Sequence, residues 1–454
     1  MSGTFLNMDV PPTLISFAIA PIEKELVLTP EFKEPGNPVY LFGPTDESAE
    51  SQKRAWEQFH QLHLAGKVKS GWAVENGLGE AVMKMSFGNR IGFASCGSVG
   101  DQWHNNLYGF LVAELSEDVD MPGVMKIGVT TDDAVVALDG DSAAIEELLQ
   151  LNEAVLEDVY PTVAPAEKED FPVFSSANGS KAAPAVKCAK PKVLIPVFPG
   201  TNCEYDSARA VMAAGAEAEI AVIRNLTADD VARSVEDVAA KIAESQMIFI
   251  PGGFSGGDEP DGSAKFITAF FRNPAIKEQV TRLLEKRDGL MCGICNGFQA
   301  LIKLGLVPYG KIIETDENCP TLTFNTIARH QSKIVRTRIA SNQSPWLSLM
   351  NVGDIVNVPI SHGEGRFYAS RELALELAAK GQIATQYVDL EGMPSMDTAF
   401  NPNGSVFAIE GITSPDGRVL GKMGHSERIG AGLYRNVPGN YDIRMFEAAV
   451  KYFK

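Results

Sequence analysis

The stretch Gly289-Leu-Met-Cys-Gly-Ile-Cys-Asn-Gly-Phe-Gln-Ala-Leu-Ile-Lys-Leu-Gly305 limits the architecture more than any other part of the chain. An apolar run from Gly289 to Ile294 stops at Cys295, and Asn296-Gly297 follows. Phe298, Leu301, Ile302 and Leu304 then recur at helical spacing. An unbroken apolar run describes a strand buried on both faces, and here it passes through a sharp turn into an amphipathic helix. Gly293-x-Cys295-x-Gly297 is the thiol counterpart of a nucleophile elbow. Its flanking glycines relieve crowding where the side chain is pushed out over the sheet edge. The same turn sets Cys295 at a helix N-terminus, where the dipole is expected to favour a thiolate. Two blander readings compete. Cys295 is a small core residue, or Cys292-x-x-Cys295 is a metal or dithiol motif; Cys292 lies inside the strand and no second pair sits at zinc-ligand spacing.

The elbow closes an alternation that begins at Lys192. Strands are expected at Val193–Phe198, Glu219–Ile223 and Met247–Ile250, and helices between them, one capped by Thr227. A single long helix is expected over about 263–286. This pattern predicts an α/β fold with a doubly wound, mostly parallel sheet over residues 191–454. In such sheets ligands sit beyond the carboxyl ends of the strands, where both Cys295 and the loop Pro251-Gly-Gly-Phe-Ser-Gly-Gly-Asp258 fall. Residues 1–157 read as an α+β lobe, with Asp141-Ser142 capping its last helix. Residues 158–190, rich in Pro, Ala, Ser and charge, read as a linker. Met1-Ser-Gly-Thr runs quickly into a strand-like stretch, Pro12–Ala20, which suits a piece of something longer or a short natural start equally well. His60 and His63 stand three apart on a helix with no further ligand at hand.

Charge excludes some functions. A net charge of −18 argues against nucleic-acid binding by bulk electrostatics. No stretch reaches the roughly 18 apolar residues of a membrane span, and no charged-then-apolar leader is present. Six cysteines without a regular framework fit a reducing compartment, so a cytoplasmic protein is expected.

A cysteine nucleophile needs a base, and the base needs a partner to orient it. Beyond the linker only His330, His362 and His425 are available. His425 follows an apolar strand with Glu427 two residues on. In an extended chain that spacing puts both side chains on one face, so the carboxylate can hold the imidazole. An oxyanion formed on a carboxamide needs N–H donors, and the peptides around Gly252-Gly253-Phe254 and the N–H of Asn296 are candidates. The glycine loop lacks the Walker lysine pattern.

Taken together, Pro251-Gly-Gly-Phe-Ser, Gly293-Ile-Cys-Asn-Gly-Phe-Gln299, Ser361-His-Gly-Glu-Gly-Arg366 and His425-Ser-Glu-Arg428 resemble the class I (triad) glutamine amidotransferases. More narrowly, residues from about 191 to 454 resemble the glutaminase domain of the phosphoribosylformylglycinamidine synthase family. Lys67–Gly88 resembles the closing lobe of that family's synthetase part, which makes residues 1–157 a partial synthetase-like lobe. The resemblance implies Cys295 as nucleophile, His425 as base and then acid, and Glu427 as its orienting partner. It implies a glutamyl thioester, ammonia and glutamate, with Gln299 and, more weakly, Asn325 helping to hold L-glutamine. His362 and Arg366 would be structural or domain-contact residues. The glutaminase would need no cofactor or metal; ATP and Mg2+ would serve the full synthase. Partners would be the remaining synthetase lobes, with formylglycinamide ribonucleotide at their site, and neither nucleic acid nor membrane. Because those lobes would lie outside this chain, the chain alone is expected not to make the amidine. Two departures stand out: Ser426 replaces the proline common after the triad histidine, and Glu75-Asn-Gly77 replaces an Asp-Gly-Gly. Other readings are a γ-glutamyl hydrolase on the same sheet and a non-catalytic ammonia-channel module.

Overall fold

The apolar strand Leu290–Ile294 is the fourth of nine in the larger sheet of a computed structural model of the protein. The structure describes residues 3–5, 8–10, 14, 16–158, 161, 162, 164, 172–180, 182–254 and 263–454. They divide into two units, Met1–Pro161 and Thr162–Lys454.

In the second unit the sheet begins with Glu217–Val222, then Lys192–Val197, Met247–Ile250, Leu290–Ile294 and Val419–Lys422, all parallel. Every residue of Met247–Ile250 and Leu290–Ile294 is buried, as strands covered by helices on both faces must be. The sheet then continues antiparallel through Ile409–Thr413, Ile383–Val388, Gln331–Ile339 and Ile355–His362. The mostly parallel sheet read from the sequence is therefore only half of the observed one. Parallel neighbours require long helical crossovers, and past Leu306–Tyr309 the only α-helix before Val419 among the described residues is the short Arg371–Ala379. Burial alternates along much of Gln331–Ile339, the mark of an antiparallel strand with one face covered.

Local chemistry sets the helix ends. Thr227 and Asp230 form a reciprocal capping box at the start of Ala228–Glu244. The single helix expected over 263–286 is two, Lys265–Phe271 and Pro274–Lys286. Asn273 caps the second by accepting the Ala275 N–H at 3.0 Å, and Pro274 takes its first position. Residues 172–180 of the expected linker lie along the second unit. There the Phe174 ring packs on Phe407 and Arg338 donates to the Phe174 carbonyl at 2.7 Å. Residues 165–171 lie outside the described set.

The first unit has a seven-stranded sheet, antiparallel except where Gly92–Ser95 runs beside Val135–Leu138. Helix Ala49–Leu64 is capped by Ser48, and Leu78, Val82 and Met85 of helix Leu78–Phe87 fill a core with Phe32, Phe93 and Trp103. Asp141 and Ser142 do not cap a helix. They pair as a strand with Val135–Leu138, and the helix begins at Ile145. Of the strand-like stretch 12–20, residues 12, 13 and 15 lie outside the described set and 16–20 carry no strand.

Candidate active site

Cys295 sits where Leu290–Ile294 turns into helix Asn296–Lys303, with φ 53° and ψ −108°, a conformation that costs a non-glycine residue about 1–3 kcal/mol. The surrounding fold holds it there. The Cys295 N–H donates to the Lys422 carbonyl at 2.9 Å, and the Cys295 carbonyl accepts the Gln299 N–H at 3.0 Å. A Cβ on Gly297 would lie 2.0 Å from the Ile250 carbonyl oxygen, so only glycine lets the helix start against the neighbouring strand.

Parallel pairing brings the base to the same edge. Ile250 pairs with Gly293 on one side of the nucleophile strand, and Lys422 pairs with Ile294 on the other. The glycine loop and His425 thus leave the sheet on either side of Cys295. Nδ1 of His425 meets Glu427 Oε1 at 2.6 Å, and its Nε2 is buried with no partner among the described residues. A Cβ on Gly252 would come within 2.7 Å of His425 Cε1 and 3.4 Å of Cys295 Cβ. The His425 imidazole and Cys295 are therefore neighbours across a bare Cα.

Electrostatics corrects one expectation. Burial pushes the Cys295 thiol up to about 12, with Cys203 and Glu427 adding to it against the Asn296 N–H and Arg428. Desolvation outweighs the helix N-terminus, so the resting sulfur is a thiol rather than a thiolate. Burial also works against ionised Glu427, but the adjacent His425 charge and hydrogen bond prevail and hold that carboxyl below its usual range.

The predicted oxyanion donors fare differently. Phe254 donates its N–H to the Gly200 carbonyl at 2.8 Å, in a bridge that pairs Thr201 with Gly253, so that amide is already engaged. Its ring instead lies near His330 at the pocket mouth. Gly253 keeps its own N–H out of that bridge, and the Asn296 N–H bonds the Cys295 sulfur. Ser255 to Asp258 of the loop lie outside the described residues. Gln299 borders the pocket, with its amide donating to the Glu364 carbonyl and accepting from Asn296 Nδ2 at 2.8 Å. Asn325 is a clamp rather than a pocket wall. Nδ2 donates to the carbonyls of His362 (2.8 Å) and Arg329 (3.0 Å), and Oδ1 accepts the Gly365 N–H.

Two neighbours of His425 and Glu427 were not foreseen. Cys203, fully buried ahead of helix Glu204–Ala213, lies 3.8 Å from His425 Nδ1 and accepts Arg428 Nη2 at 3.0 Å. Burial, then Glu427, lifts its thiol to about 11. The ligand atoms of Cys203, His425 and Glu427 lie within 4.8 Å of one another, but Glu427 engages Nδ1 and a guanidinium covers the sulfur, contacts that a cation would have to displace. Lys422, 1% exposed, pairs with Glu410 at 3.1 Å and donates to the Gly424 carbonyl (2.8 Å) and Ser426 Oγ (3.0 Å). The turn that carries His425 is thus tied down by the buried Lys422 side chain, at a position where Ser426 replaces a proline common in the resembled family.

A pocket of about 280 Å³ opens beside Cys295, lined among others by Gly253, Phe254, Gln299, Arg329, His330, His362 and Glu364. Burial holds His362 neutral, with a value near 3, and the charges of His425 and His330 act in the same direction. Among the described residues no helix is long and apolar enough to cross a membrane.

Residues 190–453 match the family described as the CobB/CobQ-like glutamine amidotransferase domain. The chain is similar to the phosphoribosylformylglycinamidine synthase subunit PurQ of Methanococcus maripaludis, 36% identical over 243 residues, covering 52% of this chain and 82% of that one. It is similar also to the subunit of the same name from Pyrococcus horikoshii, 32% identical over 263 residues, covering 58% of this chain and 99% of that one. Among solved structures it is similar to PurLQS from Thermotoga maritima, with a TM-score of 0.42 and 24% identity over 58% of this chain and all of that one.

Proposed function

Because the chain belongs to the CobB/CobQ-like glutamine amidotransferase family, and is the glutamine-hydrolysing part of formylglycinamidine ribonucleotide synthesis in purine biosynthesis, we propose how its residues divide that work. Cys295 attacks the carboxamide carbon of L-glutamine. Its thiol is too weak an acid to ionise unaided, so His425 Nε2 takes the proton as the sulfur attacks. Glu427 holds the Nδ1–H tautomer and stabilises the imidazolium. The oxyanion is met by the Gly253 N–H and by the Asn296 N–H, which shifts from the sulfur to the oxyanion as the sulfur bonds carbon. His425 returns the proton to the departing ammonia and leaves a thioester, which water hydrolyses to glutamate with His425 again as base. The observation that carries this reading is the approach of His425 and Cys295 to one another over Gly252, with Glu427 on the far ring nitrogen.

The ammonia is consumed by synthetase lobes that act on formylglycinamide ribonucleotide with ATP and Mg2+ in the cytoplasm, and residues 1–157 are proposed as part of such a lobe. The Glu75-Asn76-Gly77 turn does not fit a phosphate. Glu80 Oε2 already accepts the Asn76 N–H at 3.2 Å, and a Cβ at Gly77 would lie 2.4 Å from the Trp103 carbonyl oxygen. No step is assigned to that turn.

Treatment with a diazoketone analogue of glutamine, followed by peptide mapping, tests the assignment. Cys295 alone should be alkylated, and protected by L-glutamine. Alkylation of Cys203 or Cys292 with Cys295 spared would overturn it.

A further inference from the structure

Lys422 and Glu410 lie behind the reacting groups, and the pocket beside Cys295 is lined by other residues. Both are 1% exposed, and their charges meet at 3.1 Å. A buried ion pair is poor evidence for stability, because apolar side chains of similar size often serve a fold as well or better. The use of this one lies in where its hydrogen bonds go.

All three N–H groups of the ammonium are answered. Glu410 Oε1 takes one, the Gly424 carbonyl takes the second at 2.8 Å, and Ser426 Oγ takes the third at 3.0 Å. Glu410 Oε1 also accepts the Gly424 N–H at 2.6 Å, while Thr385 Oγ1 donates to Oε2. The two charges therefore hold the peptides on both sides of Gly424, the residue before His425. A Cβ at Gly424 would lie 2.6 Å from Val358 Cγ2, so the position requires glycine. A glycine held by nothing else would let the next side chain swing. On the far edge of the same peptide the His425 N–H donates to the Pro359 carbonyl at 2.9 Å. The main chain of Lys422 reaches the other reacting group, its carbonyl accepting the Cys295 N–H at 2.9 Å. One residue thus ties Cys295 through its backbone and the turn of His425 through its side chain.

We propose that Lys422 and Glu410 are positioning residues for the hydrolysis, which set the separation of the His425 imidazole from the Cys295 sulfur. Neither side chain borders the pocket, so the pair acts on the chemical step and not on the binding of L-glutamine. The proposal rests on the glutaminase reading above.

Two measurements on the full chain test it. Alkylation of Cys295 over a range of diazoketone concentrations separates binding from reaction, and steady-state hydrolysis of L-glutamine gives the matching KM and kcat. The variant combines Lys422→Met with Glu410→Gln. Both charges go together, and the new carboxamide still accepts the Gly424 N–H and donates to Thr385, so no buried charge is stranded. The urea midpoint should stay close to that of the wild type. The maximal alkylation rate and kcat should fall about 10- to 100-fold. KM and the half-saturating diazoketone concentration should change less than about threefold. Wild-type rates per folded molecule, whatever the midpoint, would overturn the proposal, and so would a loss that falls on KM with kcat intact. If the double variant does not fold, Ser426→Ala decides, because it withdraws one acceptor from the ammonium and leaves the ion pair in place. Its kcat should fall severalfold at constant KM, and an unchanged kcat would overturn the proposal. A wild-type chain that neither hydrolyses L-glutamine nor takes the diazoketone on Cys295 would instead sink the glutaminase reading itself.

Discussion

Glu114 in the first unit and Glu364 in the second are both buried carboxylates, and the fold completes them differently. Around Glu114, fully buried, stand four donors. Oε2 accepts the Lys33 N–H at 2.7 Å and Ser70 Oγ at 2.9 Å, and Oε1 accepts the Glu34 N–H at 3.1 Å and Asn37 Nδ2 at 2.7 Å. Among the described residues Glu364 has a single donor, on one oxygen. Glu427 is intermediate, with one oxygen on His425 and the other unpartnered among the described residues. A carboxylate whose lone pairs are all answered rigidifies its surroundings; one left open is available to something else. The difference separates a carboxylate fully answered by the fold from carboxylates left partly open, although burial alone would class them together.

The largest effect should come from the carboxylate on the His425 ring. Glu427→Gln keeps the shape but removes the charge and presents an amide to Nδ1, which favours the wrong tautomer. The loss in kcat for glutamine should approach ~10⁴-fold. A urea melt should move little by comparison. If kcat stayed within tenfold of the wild type, Glu427 would be a packing residue like Glu114, and the comparison would fail.

The reverse pattern is expected at Glu114. Glu114→Ala strands two backbone N–H groups, an amide and a hydroxyl in the interior, and should destabilise the protein by about 3 kcal/mol or more. Calorimetry would record the lower melt, while KM and kcat for glutamine stay at wild-type values. An unchanged melt would mean that the four contacts contribute nothing net.

These contrasts mark where the sequence stopped being readable. The elbow was legible because everything it needs is local: an apolar strand, glycines at Gly293 and Gly297, and a helical repeat. The His425–Glu427 contact was legible in its spacing but not in its cause: the strand ends at Lys422, and the two side chains meet across a turn closed by the Arg428 N–H on the His425 carbonyl, rather than by alternation along an extended chain. The position of the Val419–Lys422 strand against Leu290–Ile294 was not, because well over a hundred residues separate them and nothing local specifies which strands become neighbours. The same limit hid Cys203, which reaches the triad only through the packing of another strand end, and the Gly200 carbonyl that takes the Phe254 N–H. Helix-terminus electrostatics could be read from Cys295 and its helix, whereas the desolvation that overrides it depends on the whole fold. The antiparallel half of the sheet was obscured because the strands around 331–413 are joined without long amphipathic helices.

His362 offers the finest adjustment of the comparison, because it is an unanswered base rather than an unanswered acid. Both its nitrogens are buried without partners among the described residues, and its ring packs so closely on Gly365 that a Cβ there would lie 2.4 Å from it. Burial, and then the charges of His425 and His330, lower its value from 6.5 to about 3. Between those values the unfolded chain binds a proton that the folded chain refuses. Stability from this group is therefore complete above pH 6.5 and is lost as the pH falls toward 3. His362→Leu should change the urea midpoint little at pH 7 and flatten the acid limb between pH 6 and 4 by up to about one proton's worth of slope. A variant whose stability falls as steeply as the wild type over that range would assign the acid limb to other groups, and would leave His362 as a plain filler of the pocket wall.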